Sequence, residues 1–487
     1  MMNLSATIDH RCRWLLSLAF LLSASQAPSA DAQNKLPRLG VLDHEPGAFD
    51  GYTLVSPLSC QTAFLLDMKG QVAHSWETDC RPGMTCYLRP DGSLMRAGRA
   101  TELFQFPQRA GGGGRIQIYD WDGTLTWDYQ VATPYRMSHH DIAAMPNGNV
   151  LVLCWEVWQP VEVIAAGRRP EIVNQQQFWA ETIYEVKPKG LHGAELIWSW
   201  SVVDHLVQDH DPAGKNYGDV AKHPELIDIN LSTKASSDWA HMNAIDYNPQ
   251  RDEIMMCSRT FGELWVIDHS ATREEARGHS GGARGHGGDL LYRWGNPQNF
   301  KRGTKDDQKL FGPHDAHWIP EGLPGAGRIL VFNNGQVPDR KWSQVLELQP
   351  PLDERGNYLP SADDGYGPAK PEWLYEDRDN FYSARISGSQ RLPNGNTLIC
   401  SGTQHTLLEV SPDGTKQWRY VNAPRYHSPP RARAGELRVS LLSDADQARL
   451  QEQIGIPLKD GGTLFRATRF AADASALSGR LKDPAVP

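Results

Sequence analysis

Cysteine is scarce in this chain, with seven in 487 residues. That excludes a small disulfide-stapled scaffold. No internal apolar run approaches the roughly 20 residues needed to span a bilayer. Basic charge is not in excess either. The formal net charge is −9, which argues against the basic footprint of a nucleic-acid binder. Low-complexity blocks are absent, and the acidic stretch Asp204–Asp219 lacks the ligand spacing of an EF-hand, so it reads as a surface loop. No vicinal cysteine pair of the kind some quinoproteins carry is present. The length admits either two or three ordinary domains or one large repeat architecture.

What is abundant points to repeats of short strands. There are 16 tryptophans, 44 glycines and 33 prolines. One phrase recurs six times: apolar residues, an acidic residue, a turn, then apolar residues ending in an aromatic. It runs from Leu65 to Trp76, Tyr119 to Trp127, Tyr184 to Trp200, Val266 to Trp294, Leu346 to Tyr375 and Leu408 to Trp418. A second phrase lies between these copies, at Pro90-Asp91-Gly92, Pro146-Asn147-Gly148, Asn248-Pro249, Pro320-Glu321-Gly322 and Pro393-Asn394-Gly395. Proline followed by Asn-Gly or Asp-Gly and alternating apolar residues signals a hairpin. Two hairpins per repeat make four strands, and four-stranded repeats close radially into a β-propeller. The expectation is an all-β, six-bladed propeller over 51–424, with long insertions at Val203–Thr233, Ser270–Gly288 and Leu352–Pro371. A C-terminal tail, 425–487, is expected to pack on it, with a short helix near Ser443–Ile454.

The first 32 residues read as an export signal. Arg11 and Arg13 supply basic charge, Trp14–Ala24 is a short apolar run, and small residues follow to Ala32. Residues 33–50 form an extension. The mature protein is therefore expected to be periplasmic or secreted and free of the membrane. An oxidising compartment permits one disulfide among Cys60, Cys80 and Cys86, with Cys80–Cys86 the candidate pair. Cys154, Cys257 and Cys400 each end a hydrophobic strand and read as equivalent buried core positions.

Histidines recur at one register of the repeat. The clusters are Ser138-His139-His140-Asp141, Asp238-Trp239-Ala240-His241-Met242-Asn243 and Pro313-His314-Asp315-Ala316-His317, with Ser383-Ala384-Arg385-Ile386-Ser387 carrying serine in the slot. His140, His314 and Ser387 each precede a proline at one offset. In a propeller such residues converge at one mouth of the channel. Arg259 ends the strand after His241 and can point into the same space. Histidines, one arginine and an asparagine, without an essential carboxylate pair, suit transfer of a charged tetrahedral group. A single histidine near a turn is commonly structural, as expected for His139 or His317 alone. A metal site is the competing chemistry, disfavoured by Arg259; His279 and His286, in a Gly-rich hairpin, read as solvated loop residues.

At these residues the chain resembles the bacterial arylsulfate sulfotransferase family. Asp238 to Ile245 followed by Cys257-Ser258-Arg259 carries the strongest match. His139-His140-Asp141 resembles the family's earlier active-site histidine, and His314 with Phe332-Asn333-Asn334-Gly335 its sulfated histidine. Pro313 stands where the family usually has glutamine, and Ser387 or Ser389 would supply a later hydroxyl. The resemblance implies an exported six-bladed propeller moving a sulfuryl group from an aryl sulfate to a phenol through a sulfohistidine, with no cofactor. It implies His314 as nucleophile and His241 as acid and base. Arg259, Asn243, His140 and Ser387 would hold the sulfuryl group. The alternatives are a non-catalytic binding propeller and a metal- or quinone-dependent oxidoreductase.

Overall fold

A computed structural model describes residues 36–102, 106, 111–173, 177–231, 236–361, 365–424 and 439–481. The expected signal and its Cys12 lie outside the described residues. No described helix is long and apolar enough to cross a membrane.

The chain folds into a six-bladed β-propeller. Five blades run outward in chain order from inner strands Pro82–Leu88, Arg136–Ala144, Met242–Asn248, His314–Trp318 and Gly388–Arg391, the fourth of them interrupted by a separate hairpin of Pro360–Ser361 and Gly365–Tyr366. These are blades 2 to 6. Blade 1 is assembled from both ends of the chain. Its outer three strands are Tyr52–Pro57, Thr62–Leu66 and Val72–Glu77, and its inner strand is Leu464–Phe470. The tail beyond residue 424 thus contributes a blade strand as well as packing, so the propeller extends past the boundary expected from sequence. The N-terminal extension also joins the sheet system. Gly40–His44 pairs with Lys416–Val421 as a fifth, outermost strand of blade 6. The expected tail helix is Asp444–Gln451, capped by the Ser443 hydroxyl.

The recurrent aromatic explains the tryptophan content. The outer-strand indoles of all six blades donate from Nε1 to a backbone carbonyl of the next blade. Trp76 reaches Asp120, Trp127 Gly193, Trp198 Ala271, Trp294 Pro368, Trp373 Pro412 and Trp418 Met68, at 2.8–3.0 Å. The last of these closes the circle. Buried indoles need such partners, and each bond contributes about 1 kcal/mol net.

Blades 2 to 5 carry a β-bulge in or beside the inner strand, seen as a register shift against its neighbour. Non-glycine residues with positive φ mark the same places: Met84, His140, His241 and Asp315, joined in blade 6 by Ile386 and Ser387. A bulge re-aims side chains without breaking the sheet. Cys154, Cys257 and Cys400 occupy the expected core positions in second strands. The expected disulfide does not form: Cys60, Cys80 and Cys86 are free. The Cys80 thiol instead meets Gln117 and Arg96, and Cys60 turns to the carbonyls of Pro57 and Thr62.

Ending the chain at residue 460 leaves blade 1 without its inner strand. The truncated protein is expected to lose the cooperative melting transition of the full chain, read by near-UV circular dichroism. An unchanged transition would show that the ring closes without that strand.

Candidate active site

Arg466, on the closing strand, organises the channel. Its guanidinium donates to Asp141 Oδ2 (2.7 Å), to the Tyr87 hydroxyl and to the backbone carbonyl of Asn243, and lies 2.7 Å from Asp315 Oδ1. One side chain thereby ties inner strands of blades 2, 3, 4 and 5 to the strand that closes blade 1. Asp141 and Asp315 directly follow His140 and His314. The left-handed residue in each pair, His140 or Asp315, lets the carboxylate reach Arg466 while the histidine joins the others.

His140, His241 and His314 come together. The His140 and His241 rings are 4.7 Å apart. Burial holds His140 well below its ordinary pKa, and the charges of His241, His139, His314 and Arg259 push it further down. Burial also dominates at His314, followed by Arg259, and the hydrogen bond to Asn334 opposes the shift. Both rings are therefore neutral near pH 7.

Each ring is held by a partner to which sequence reasoning gave no role. His241 Nδ1 meets Asp238 Oδ2 at 2.5 Å, leaving Nε2 without a hydrogen-bond partner among the described residues. His314 Nδ1 meets Asn334 Oδ1 at 2.7 Å and the Gly312 carbonyl at 3.1 Å, so its proton resides on Nδ1. His314 Nε2 accepts the backbone N–H of Ile386 at 3.1 Å. Asn334 also donates to the carbonyls of Ser383 and Ile386, which fixes that loop to the histidine. His140 Nδ1 lies 2.9 Å from His139 Nδ1. His139 stacks on Trp155 and sets Nε2 2.9 Å from Glu181 Oε2. His139 thus lies buried between His140 and Glu181.

Arg259 makes no side-chain hydrogen bond among the described residues. Burial lowers its pKa, with Asp238 opposing and Arg385 reinforcing the shift. Asn243 donates to the Pro313 carbonyl at 2.8 Å, and its second amide proton is uncommitted. Proline at 313 retains the carbonyl this bond needs. Ser387 lies elsewhere in the bonding scheme. Its hydroxyl donates to Ser383 Oγ and accepts from the Gly402 N–H. Its neighbour Ile386 reaches the site through main chain instead. His317 lines a different cavity, of about 260 Å³, with Asp246, Asp315 and Arg466. None of the three clustered histidines borders it.

Neutral imidazoles beside an uncommitted guanidinium form an anion-binding constellation with acid–base capacity. A family model described as Arylsulfotransferase (ASST) matches residues 50–421. No functionally curated protein matches the chain. Among solved structures, the chain is similar to a protein of unknown function from Bacteroides caccae, at 11% identity and TM-score 0.41, covering 76% of this chain and 93% of that one. It is similar to a catalytically inactive virginiamycin B lyase from Staphylococcus aureus with quinupristin, at 9% identity and TM-score 0.37, covering 79% and 88%. A third is Kuenenia stuttgartiensis hydrazine synthase, at 10% identity and TM-score 0.34, covering 80% of each.

The depressed histidines have a stability consequence. As pH falls through the ordinary histidine value near 6.5, the unfolded chain takes up protons that folded His140 and His314 refuse. Their contribution is intact above that pH and lost below it, with a slope of up to about 1.4 kcal/mol per pH unit per histidine. Urea midpoints should fall between about pH 7.5 and 5.5. The fall should be smaller in a His140→Gln/His314→Gln variant, and an identical fall there would contradict the assignment.

Proposed function

The chain belongs to the arylsulfotransferase family, and from that premise we propose that it transfers a sulfuryl group from an aryl sulfate to a phenol through a sulfohistidine on His314. The convergence of His314, His241, His140 and Arg259 on one mouth of the channel carries this reading. Export to the periplasm or beyond, through the N-terminal 32 residues, is part of the same proposal.

In the first half-reaction His314 Nε2 attacks sulfur and the bond from sulfur to the aryl oxygen breaks. The departing phenolate takes a proton from His241 Nε2. Asp238 stabilises the His241 cation that must exist beforehand, and Asn334 accepts from His314 Nδ1–H as that ring becomes positive. The Ile386 N–H must leave the Nε2 lone pair for the attack to occur. Once displaced it is within reach of a sulfuryl oxygen. In the second half-reaction an incoming phenol gives its proton to His241 and its oxygen attacks sulfur, which restores His314. Arg259 and the free amide proton of Asn243 bind the sulfuryl oxygens. For His140 to donate from Nε2, its Nδ1 must accept from His139. His139 must then carry both protons, which Glu181 is positioned to stabilise. Ser387, with its hydroxyl bound to Ser383 and Gly402, supports the loop carrying Ile386 in this scheme.

A second reading makes His241 the nucleophile, because its Nε2 is uncapped while that of His314 receives an N–H. The two readings separate at the modified residue. With 4-nitrophenyl sulfate and no acceptor, peptide mapping at alkaline pH should find the sulfuryl group on His314. A map on His241 would reverse the roles. His314→Ala should abolish phenol-dependent nitrophenol release while the protein stays folded, and full activity would sink the proposal. His241→Ala should lose about 10²–10⁴ in rate. That loss should be larger with phenyl sulfate than with 4-nitrophenyl sulfate, whose leaving group needs a proton less; equal losses would exclude His241 as the acid.

Glu181→Gln tests the relay behind His140. Loss of a single donor to the sulfuryl oxygens costs roughly 10²–10³. The variant should approach that loss in kcat/KM. Wild-type kinetics would show that His140 does not depend on Glu181.

A further inference from the structure

Away from the channel, two insertions meet at the edge of blade 4. One follows blade 3 and carries His205. The other is the Gly-rich segment inside the blade 4 hairpin, which carries His279 and leads to Asp289 just before strand Leu290–Trp294. His205 is fully buried and stacks parallel to Trp200, with ring centroids 5.5 Å apart. Its Nε2 lies 3.0 Å from the Ala276 carbonyl, which accepts only, so that nitrogen bears a proton. Its Nδ1 lies 2.8 Å from Asp289 Oδ1. His279 Nδ1 approaches the same oxygen, also at 2.8 Å. The three donor atoms lie within 4.8 Å of one another.

A His205 ring with its single proton on Nε2 would set a nitrogen lone pair against a carboxylate oxygen. Positive charge must lie between them. A second proton on His205 meets that need, and so does a metal ion, which also takes the lone pair of His279 Nδ1 beside the same oxygen. We propose that His205, His279 and Asp289 bind one transition-metal cation of the zinc class. Two imidazoles and a carboxylate are a ligand set that Zn²⁺ accepts, with a fourth position open. The bond from His205 Nε2 to Ala276 is the outer contact that orients a ligating imidazole. Gly288 permits it, because a Cβ there would come within 2.6 Å of His205 Nε2. His279 and Asp289 border a cavity of about 560 Å³ that Glu225 and His286 also line. Arg284 also borders that cavity, and Glu253 balances its charge at 3.1 Å. The site shares no residue with the histidine mouth. It would crosslink the two insertions that carry His205 and His279.

The untagged full chain, stripped with a chelator, is titrated with Zn²⁺ against a chromophoric competitor. One equivalent per chain and a raised melting temperature are expected. Co²⁺ in its place should show the visible absorption of a four-coordinate ion. His279 is exposed, so His279→Ala should spare folding while weakening Zn²⁺ at least about 10-fold. Asp289→Asn should do the same, and the exposed His192→Ala should not. Absence of stoichiometric binding, or equal affinity in His279→Ala and Asp289→Asn, overturns the proposal.

Discussion

The buried guanidinium of Arg466 is the interaction on which the rest of this propeller depends. A guanidinium cannot shed its charge, so it must be matched wherever it is buried. Asp141 and Asp315 do this, with Tyr87 and the Asn243 carbonyl completing the set. Removing one member of such an arrangement strands the others in a poor solvent, at a cost of about 3–5 kcal/mol. The arrangement also sets geometry. Each carboxylate is the immediate neighbour of a site histidine, so fixing the carboxylate fixes the backbone from which the histidine projects. Closure of the ring and placement of the mouth are thus one event. Arg469, on the same strand, adds a second lock by pairing with Glu409 of blade 6 and Thr53 of blade 1.

The site is costly in local terms. His140, His241, Asp315, Ile386 and Ser387 all adopt positive φ, a conformation that costs non-glycine residues of order 1–3 kcal/mol each. Two imidazoles are buried where their charged forms are disfavoured. A half-buried arginine, Arg259, has no side-chain hydrogen bond among the described residues. Hydrophobic cores do not call for such features. The ring of tryptophan bonds and the blade cores hold the frame that tolerates them. The inner-strand bulges confine the irregularity to one end of the channel.

Much of this was legible because propeller repeats are local. Each hairpin carries its own turn residues and its own aromatic, and the proline register aligned His140 with His314 before any fold was known. The inner-to-second-strand turn occurs five times while the outer phrase occurs six. That mismatch encodes a blade whose inner strand comes from elsewhere, and it marks the role of Leu464–Phe470. Arg466 was invisible because nothing near it repeats. Asp238 and Asn334 stood inside quoted motifs, yet their function is to hold a ring, which depends on distances that a sequence lacks. Ser387 followed the register, but with its positive-φ backbone its hydroxyl bonds Ser383 and Gly402, and the main chain of Ile386 reaches His314 instead. The disulfide expectation failed for a similar reason. Compartment and count permit a bond, whereas side-chain direction decides it.

The two histidines proposed for chemistry differ in a way that divides their labour. His314 is buried, neutral and tied through Asn334 to the loop whose N–H covers its lone pair. A nucleophile covered in this way is protected from protonation and from water until an anion large enough to displace the N–H arrives. His241 is partly exposed and backed by a carboxylate, the setting of a group that passes a proton to the departing phenolate and takes one from the incoming phenol. Exchanging the two positions would give a nucleophile open to protonation and a proton carrier sealed from water. The Asp238 and Asn334 partners make the same distinction. A carboxylate favours a cation that persists, whereas a neutral amide supports one only while the sulfuryl group is bound.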